Sequence, residues 1–333
     1  MIIFRRFRYA PFALALVAIT FSQGVDSANV LISRHPNATH IVNGVMIEGR
    51  IEQGDLIRVI NLLWKQWPEV IDTVGIFSPG GDVLEAMKIG RLIRQLGLST
   101  TIPDDMRIIG KGATCTLWNN DMQNEVNCTC LSACFLIFVA GVNRNGDYVG
   151  VHRSFIDHAL LQKMRGDEAL LYTEMINREV GYYYEDMGVS RAFFDRIKAI
   201  PSHEIYILKK GEVWQAIGGQ RVAGFEEWQS AKCGPDPWSE MEDEARLLLD
   251  KKKTGSLTNE EEKRSAELES LLELYWDCRF ASEKDFMATG WRKRFVAFAA
   301  QYLTDEELAA VEEDLRMLVL MARESGAAAA DRP

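Results

Sequence analysis

The sequence predicts an α/β protein with parallel strands, followed by a helical appendage. Two patterns carry this prediction. From residue 40 to residue 102, short β-type apolar runs alternate with stretches of helical periodicity, joined by glycine-bearing turns. Past Gly234-Pro235-Asp236-Pro237 the β-type runs stop, and Glu, Lys, Leu and Ala dominate. A length of 333 residues suits one large domain plus such an appendage.

Residues 40–51 (HIVNGVMIEGRI) alternate as a strand interrupted by glycine. Residues 53–66 place Leu56, Ile57, Val59, Ile60, Leu62 and Leu63 on one helical face. Thr73–Phe77 is a short apolar strand that runs into Ser78-Pro79-Gly80-Gly81-Asp82, and Val83–Leu96 is helical again. Residues 98–102 (LSTTI) read as the next strand. Residues 109–129 break this rhythm: they are polar, bracketed by Cys115 and Cys128, and read as a surface excursion with a hairpin. A buried helix over 134–142, a strand over 148–151 and one long helix over 159–185 follow. Another helix ends at 195–200, and the last of this unit spans Glu212–Ile217. Thr258 and Thr304, each followed by acidic residues, mark helix starts within 238–324, and residues 327–333 read as a frayed tail. The expected division is therefore 1–27, 28–235, 236–326 and 327–333.

A net charge of −10 argues against a nucleic-acid partner, which needs a basic face to neutralise phosphates. The N-terminus points to export. Arg5, Arg6 and Arg8 precede an apolar run over 10–21, and small residues follow, with Gly24 or Ser27 able to end the segment. The run is shorter than the ~20 residues of a stable span, so 1–27 reads as a secretory signal, with an uncleaved anchor as the alternative. Six cysteines fit an oxidising compartment. Cys115, Cys128, Cys130 and Cys134 are crowded, which implies two local bridges of undetermined pairing; Cys233 and Cys278 form the third pair. The CxC and CxxxC spacings lack the paired CxxC of zinc sites and have no flanking histidine, so no metal or other cofactor is expected.

Two segments could carry chemistry. Ser78-Pro79-Gly80-Gly81 sits between a strand and a helix, where bare N–H groups favour developing negative charge, although such a turn more often serves only to reverse the chain. Ser132 opens an apolar helix within Cys130-Leu131-Ser132-Ala133-Cys134; it is either a helix cap or a nucleophile. A serine hydroxyl needs a base to take its proton. Of five histidines, His35 and His40 fall near the start of the exported chain and His158 opens a polar helix, whereas His152 ends the strand 148–151.

Taken together, Ser-Pro-Gly-Gly after a strand, Ser-Ala opening an apolar helix, and a strand ending in histidine resemble the ClpP/crotonase superfamily. In particular they resemble the exported ClpP-like serine-protease-related proteins of bacteria, whose nucleophile segment is similar to Cys-x-Ser-Ala-Cys. The resemblance covers about residues 40–228. It implies a spiral of parallel strands and helices, with Ser132 as nucleophile and His152 as general base. Glu204 stands where ClpP has its aspartate, with Asp195, His203 or no third member as the alternatives. The backbone N–H groups of Gly81 and Ala133 would form the oxyanion hole. Further implications are a periplasmic location, a peptide or protein substrate, and self-association through the 159–185 helix. No ATPase partner is expected outside the cytoplasm. The excursion over 109–129 exceeds what ClpP needs and sits just before the nucleophile. A silent module that binds peptides or partners in the same groove is the second reading.

Overall fold

The computed structural model describes residues 29–34, 43–66, 71–103, 106–109, 112–117, 120–123, 129–155, 158–209 and 211–325. The expected signal at 1–27, His35, His40, Cys128 and the tail at 327–333 lie outside these residues.

The protein is α/β. Strands β1 (Asn29–Arg34) and β2 (Asn43–Glu48) pair antiparallel, from Asn29↔Glu48 to Arg34↔Asn43. Helix α1 (Asp55–Gln66) follows, then β3 (Thr73–Phe77), α2 (Val83–Leu96) and β4 (Ser99–Thr101). Strand β3 lies parallel to β2 (Val45↔Val74) and to β4 (Val74↔Thr100). Val45, Ile47, Val74 and Ile76 are fully buried, as expected for parallel strands covered on both faces. Helix α2 starts where the Asp82 carboxylate accepts from the Glu85 N–H (2.9 Å) and stops at Gly97, which takes a left-handed turn (φ 76°).

The excursion is larger than a hairpin: β5 (Met106–Ile109), β6 (Gly112–Leu117) and β7 (Asn120–Gln123) form a three-stranded antiparallel sheet. Next come α3 (Ala133–Phe138), β8 (Arg144–Asn145), which completes the sheet order β1-β2-β3-β4-β8, and β9 (Gly150–Val151). The helix expected over 159–185 is two helices, α4 (His158–Leu161) and α5 (Gly166–Asp186). The break has a local cause: the Glu168 carboxylate accepts the Arg165 N–H (3.1 Å) and caps a new helix there. Then α6 (Arg191–Ala199) leads to β10 (Tyr206–Ile207), which pairs antiparallel with β9, and to α7 (Glu212–Ile217).

The remainder is helical: α8 (Ala223–Cys233), α9 (Pro237–Glu240), α10 (Glu242–Thr254), α11 (Asn259–Ala288), α12 (Trp291–Tyr302), α13 (Asp305–Ala309) and α14 (Glu313–Glu324). Threonines 258 and 304 cap α11 and α13 as their acidic first turns predict. The end of the chain packs against the α/β part. Trp64 of α1 stacks on Trp291 (centroids 6.3 Å apart) and meets Phe295 (5.4 Å), while its indole N–H donates to Asp314 (2.9 Å). Phe295, Phe298, Leu315 and Val319 are fully buried in the same core as Val45 and Ile76. Cys233 and Cys278 are bonded as expected, fastening α8 to α11. Among the described residues no helix is long and apolar enough to cross a membrane.

Candidate active site

Three chain segments run side by side, and each ends in one piece of the site. Beyond β3, the Ser78 N–H donates to the Thr129 carbonyl (2.7 Å) and the Leu131 N–H to the Ser78 carbonyl (2.9 Å). On the other flank, the Gly150 N–H donates to the Cys130 carbonyl (2.9 Å) and the Ser132 N–H to the Gly150 carbonyl (2.8 Å). Both bridges are parallel, so the glycine turn, Ser132 and His152 emerge at one edge.

Ser132 occupies φ 56°, ψ −119°, and among the described residues no other non-glycine residue has positive φ. That backbone costs on the order of 1–3 kcal/mol and persists only where the surroundings over-determine it. Several contacts do so: the bond to Gly150, the Cys130–Cys134 disulfide around it, and Gly80 pressed against it. Ser132 stands at the N-cap position of α3, yet its side chain makes no capping bond. The hydroxyl is therefore not consumed by the helix end.

The glycine turn is shaped by what it touches. A Cβ on Gly80 would lie 2.7 Å from the Ser132 Cβ and 3.1 Å from the Ala133 nitrogen. One on Gly81 (φ 146°) would lie 2.0 Å from the Ile51 carbonyl oxygen. Ile51 donates to the Gly80 carbonyl (2.9 Å) and accepts from the Asp82 N–H (2.8 Å). Among the described residues this leaves the Gly81 N–H without an acceptor. The Ala133 N–H, first in α3, has none either. Two unengaged N–H groups thus flank the serine, on the residues that the sequence nominated for an oxyanion hole.

His152 follows β9 and is half-buried. Its Nδ1 lies 2.8 Å from the Arg153 carbonyl oxygen. A carbonyl only accepts, so Nδ1 carries the proton and Nε2 is left with a free lone pair. Ser132, His152 and Gly81 line one cavity of about 320 Å³, with Leu84, Phe155 and Ile176 among its apolar walls. Among the described residues the Ser132 hydroxyl makes no hydrogen bond to His152; such bonds are often long before substrate binds.

Glu204 is not brought to this pair. Its carboxylate is 63% exposed and sits 3.5 Å from the His203 ring, on the loop between α6 and β10. Asp195 is likewise exposed, 3.6 Å from Arg191. The group that holds His152 Nδ1 is a backbone carbonyl, so a carboxylate is not needed to fix the tautomer. Of the cysteines, Cys130 and Cys134 are bonded, four positions apart and fully buried; any bond between Cys115 and Cys128 falls outside the described residues. No group of three His, Cys, Asp or Glu side chains is placed to hold a metal among the described residues.

Sequence reading passed over Glu85. It is buried, and its Oε1 accepts the N–H groups of Gly54 (2.9 Å) and Leu56 (2.8 Å), fixing the loop that carries Ile51 into the cavity wall. Burial raises its carboxyl pKa, and the two backbone bonds pull against that shift. The signal was present: a charged residue four positions before Ile89, on the buried face of α2. In comparisons with known proteins, no family model matches this chain and no curated protein matches it significantly.

Proposed function

We propose that this chain is an exported ClpP-like serine hydrolase that cleaves a peptide or related acyl bond through a Ser132–His152 dyad. Ser132 Oγ attacks the carbonyl carbon while His152 Nε2 takes its proton. The same proton then passes to the leaving amine, and water releases the acyl group from Ser132. The Gly81 and Ala133 N–H groups stabilise the oxyanion. The Arg153 carbonyl holds the imidazole in the working tautomer, in the place of a third side chain.

The observation that carries this reading is the conformation of Ser132. A serine held at positive φ, with an unengaged hydroxyl facing a cavity shared with histidine and two idle N–H groups, is arranged at an energetic cost that a helix cap would not require. The ClpP-like resemblance and the oxidised cysteines support the class and the compartment.

A fluorophosphonate probe tests it. Wild-type protein is expected to label at Ser132, and Ser132→Ala to lose the label. Among the described residues no carboxylate bonds His152, which favours one rival, a silent module that binds peptides in the same cavity. Peptide binding without labelling of folded wild-type protein would establish that rival and overturn the hydrolase.

A further inference from the structure

The candidate cavity continues into a groove of opposite charge to the rest of the chain. A second hollow of about 420 Å³ shares Ser154 and Phe155 with the first and brings in Arg153 and Lys198. A third, of about 400 Å³, shares Asn177 and Lys198 with the second and adds Arg178 and Arg191. Among the described residues, Glu174 is the one carboxylate lining these two outer hollows. The whole sequence runs the other way, with 48 acidic against 38 basic residues.

The cations are also poorly neutralised. Arg191 pairs with Asp195 at 3.6 Å, but among the described residues Arg153, Arg178 and Lys198 have no carboxylate within ion-pair reach. Arg191 and Lys198 both lie 5.5 Å from the Phe194 ring centre, which holds them along the groove wall. A cationic track leading out of a catalytic cavity selects for charge on the part of the ligand that extends from the reacting bond.

We propose, building on the hydrolase reading, that this site takes polypeptides bearing a run of Asp or Glu on one arm beside the scissile bond. The acidic run lies along Arg153, Lys198, Arg178 and Arg191, while apolar residues near the bond meet Leu84 and Phe155. Because the cations line two successive hollows that adjoin the cavity, the occupant is a peptide segment rather than a single small anion.

Binding to the full chain carrying Ser132→Ala, read by fluorescence anisotropy, tests this without turnover. The probes are two rhodamine-labelled peptides sharing a Leu-Ala core, one followed by Asp-Glu-Asp-Glu and the other by Asn-Gln-Asn-Gln. Exposed ion pairs are individually weak but add along a track, so about a tenfold preference for the acidic peptide is expected, shrinking in high salt. Adding Arg178→Glu and Lys198→Glu should abolish the preference; Lys253→Glu with Lys263→Glu, on α10 and α11, should leave it intact. Equal affinities, a preference that survives the groove reversals, or one lost equally in the control would overturn the proposal. Fluorophosphonate labelling of the wild type is scored separately. Labelling without an acidic preference sinks this inference alone. An acidic preference without labelling keeps the groove and sinks the catalytic reading.

Discussion

The Ser132 N–H donates to the Gly150 carbonyl oxygen at 2.8 Å, so the turn bearing the hydroxyl is fastened to β9, which His152 follows. The Cys130–Cys134 disulfide closes the same turn from within. Closing so short a loop limits the unfolded chain by about 2 kcal/mol, comparable to the ~1–3 kcal/mol that positive φ costs at Ser132. The bond is therefore able to offset the strain at Ser132. Replacing both cysteines by alanine is expected to lower fluorophosphonate labelling at least tenfold. Labelling is to be compared with the wild type well below the lowered melting temperature, by mass spectrometry, with the fold checked by circular dichroism. Unchanged labelling in the folded double variant would show that the disulfide stabilises without positioning Ser132.

Gly80 is the second support. Alanine there would drive its Cβ to 2.7 Å from the Ser132 Cβ and 2.8 Å from the Leu131 carbonyl oxygen, at a φ of 97° that disfavours any side chain. Overpacking and backbone strain together are expected to cost about 2–4 kcal/mol. Labelling should fall more than tenfold, because the contact is with Ser132, the proposed nucleophile. Gly188→Ala is the control: φ is also positive (76°), but nothing lies within 4 Å of the added carbon. It should lower the denaturation midpoint by a smaller amount and leave labelling as it was. Equal loss in both variants would mean that strain alone, rather than contact with Ser132, explains the effect.

His152 and Glu204 separate the dyad from a triad. His152→Gln removes the proposed base and should lower the labelling rate by roughly a thousandfold. Glu204→Gln changes an exposed carboxylate whose neighbour is His203, so the rate should stay within about twofold of wild type. A large loss from Glu204→Gln would show that the 203–205 loop closes onto His152 when substrate binds.

What the sequence could reveal follows from what periodicity encodes. The bounds of β3 and α2 were legible because their apolar spacing is set by one buried face, and Asp82 and Gly97 mark the helix ends. Periodicity states that a face is buried, not what buries it. The acidic helices after 235 thus looked self-contained, although Trp291 and Phe295 pack on Trp64 some 230 positions earlier. Residue type and setting singled out Ser132 and His152, which line one cavity. The positive φ of Ser132 was not legible, since it depends on Gly80 and Gly150, which only the tertiary fold brings there. Glu204 misled for the converse reason: its place in the chain order matched, but its side chain points to solvent.

Asp72 provides a prediction on stability. It lies just before β3, where burial, with the nearby Glu283 carboxylate adding to it, raises its pKa from 3.8 to about 6; a hydrogen bond from Thr73 opposes the shift. Among the described residues one carboxylate oxygen is buried without a hydrogen-bond partner. Between pH 3.8 and about 6 the folded protein keeps this proton while the unfolded chain releases it. The folded state therefore binds more protons in that window, and its stability falls as pH rises through it. Above pH 6 the full cost is present, up to about 3 kcal/mol for a shift of about two units. Asp72→Asn cannot ionise and should be more stable than wild type by about 2 kcal/mol at pH 7.5, with no gain at pH 3.5. Urea denaturation at the two pH values measures both. A gain of equal size at both would assign the effect to packing or hydrogen bonding at Asp72 instead of to its charge.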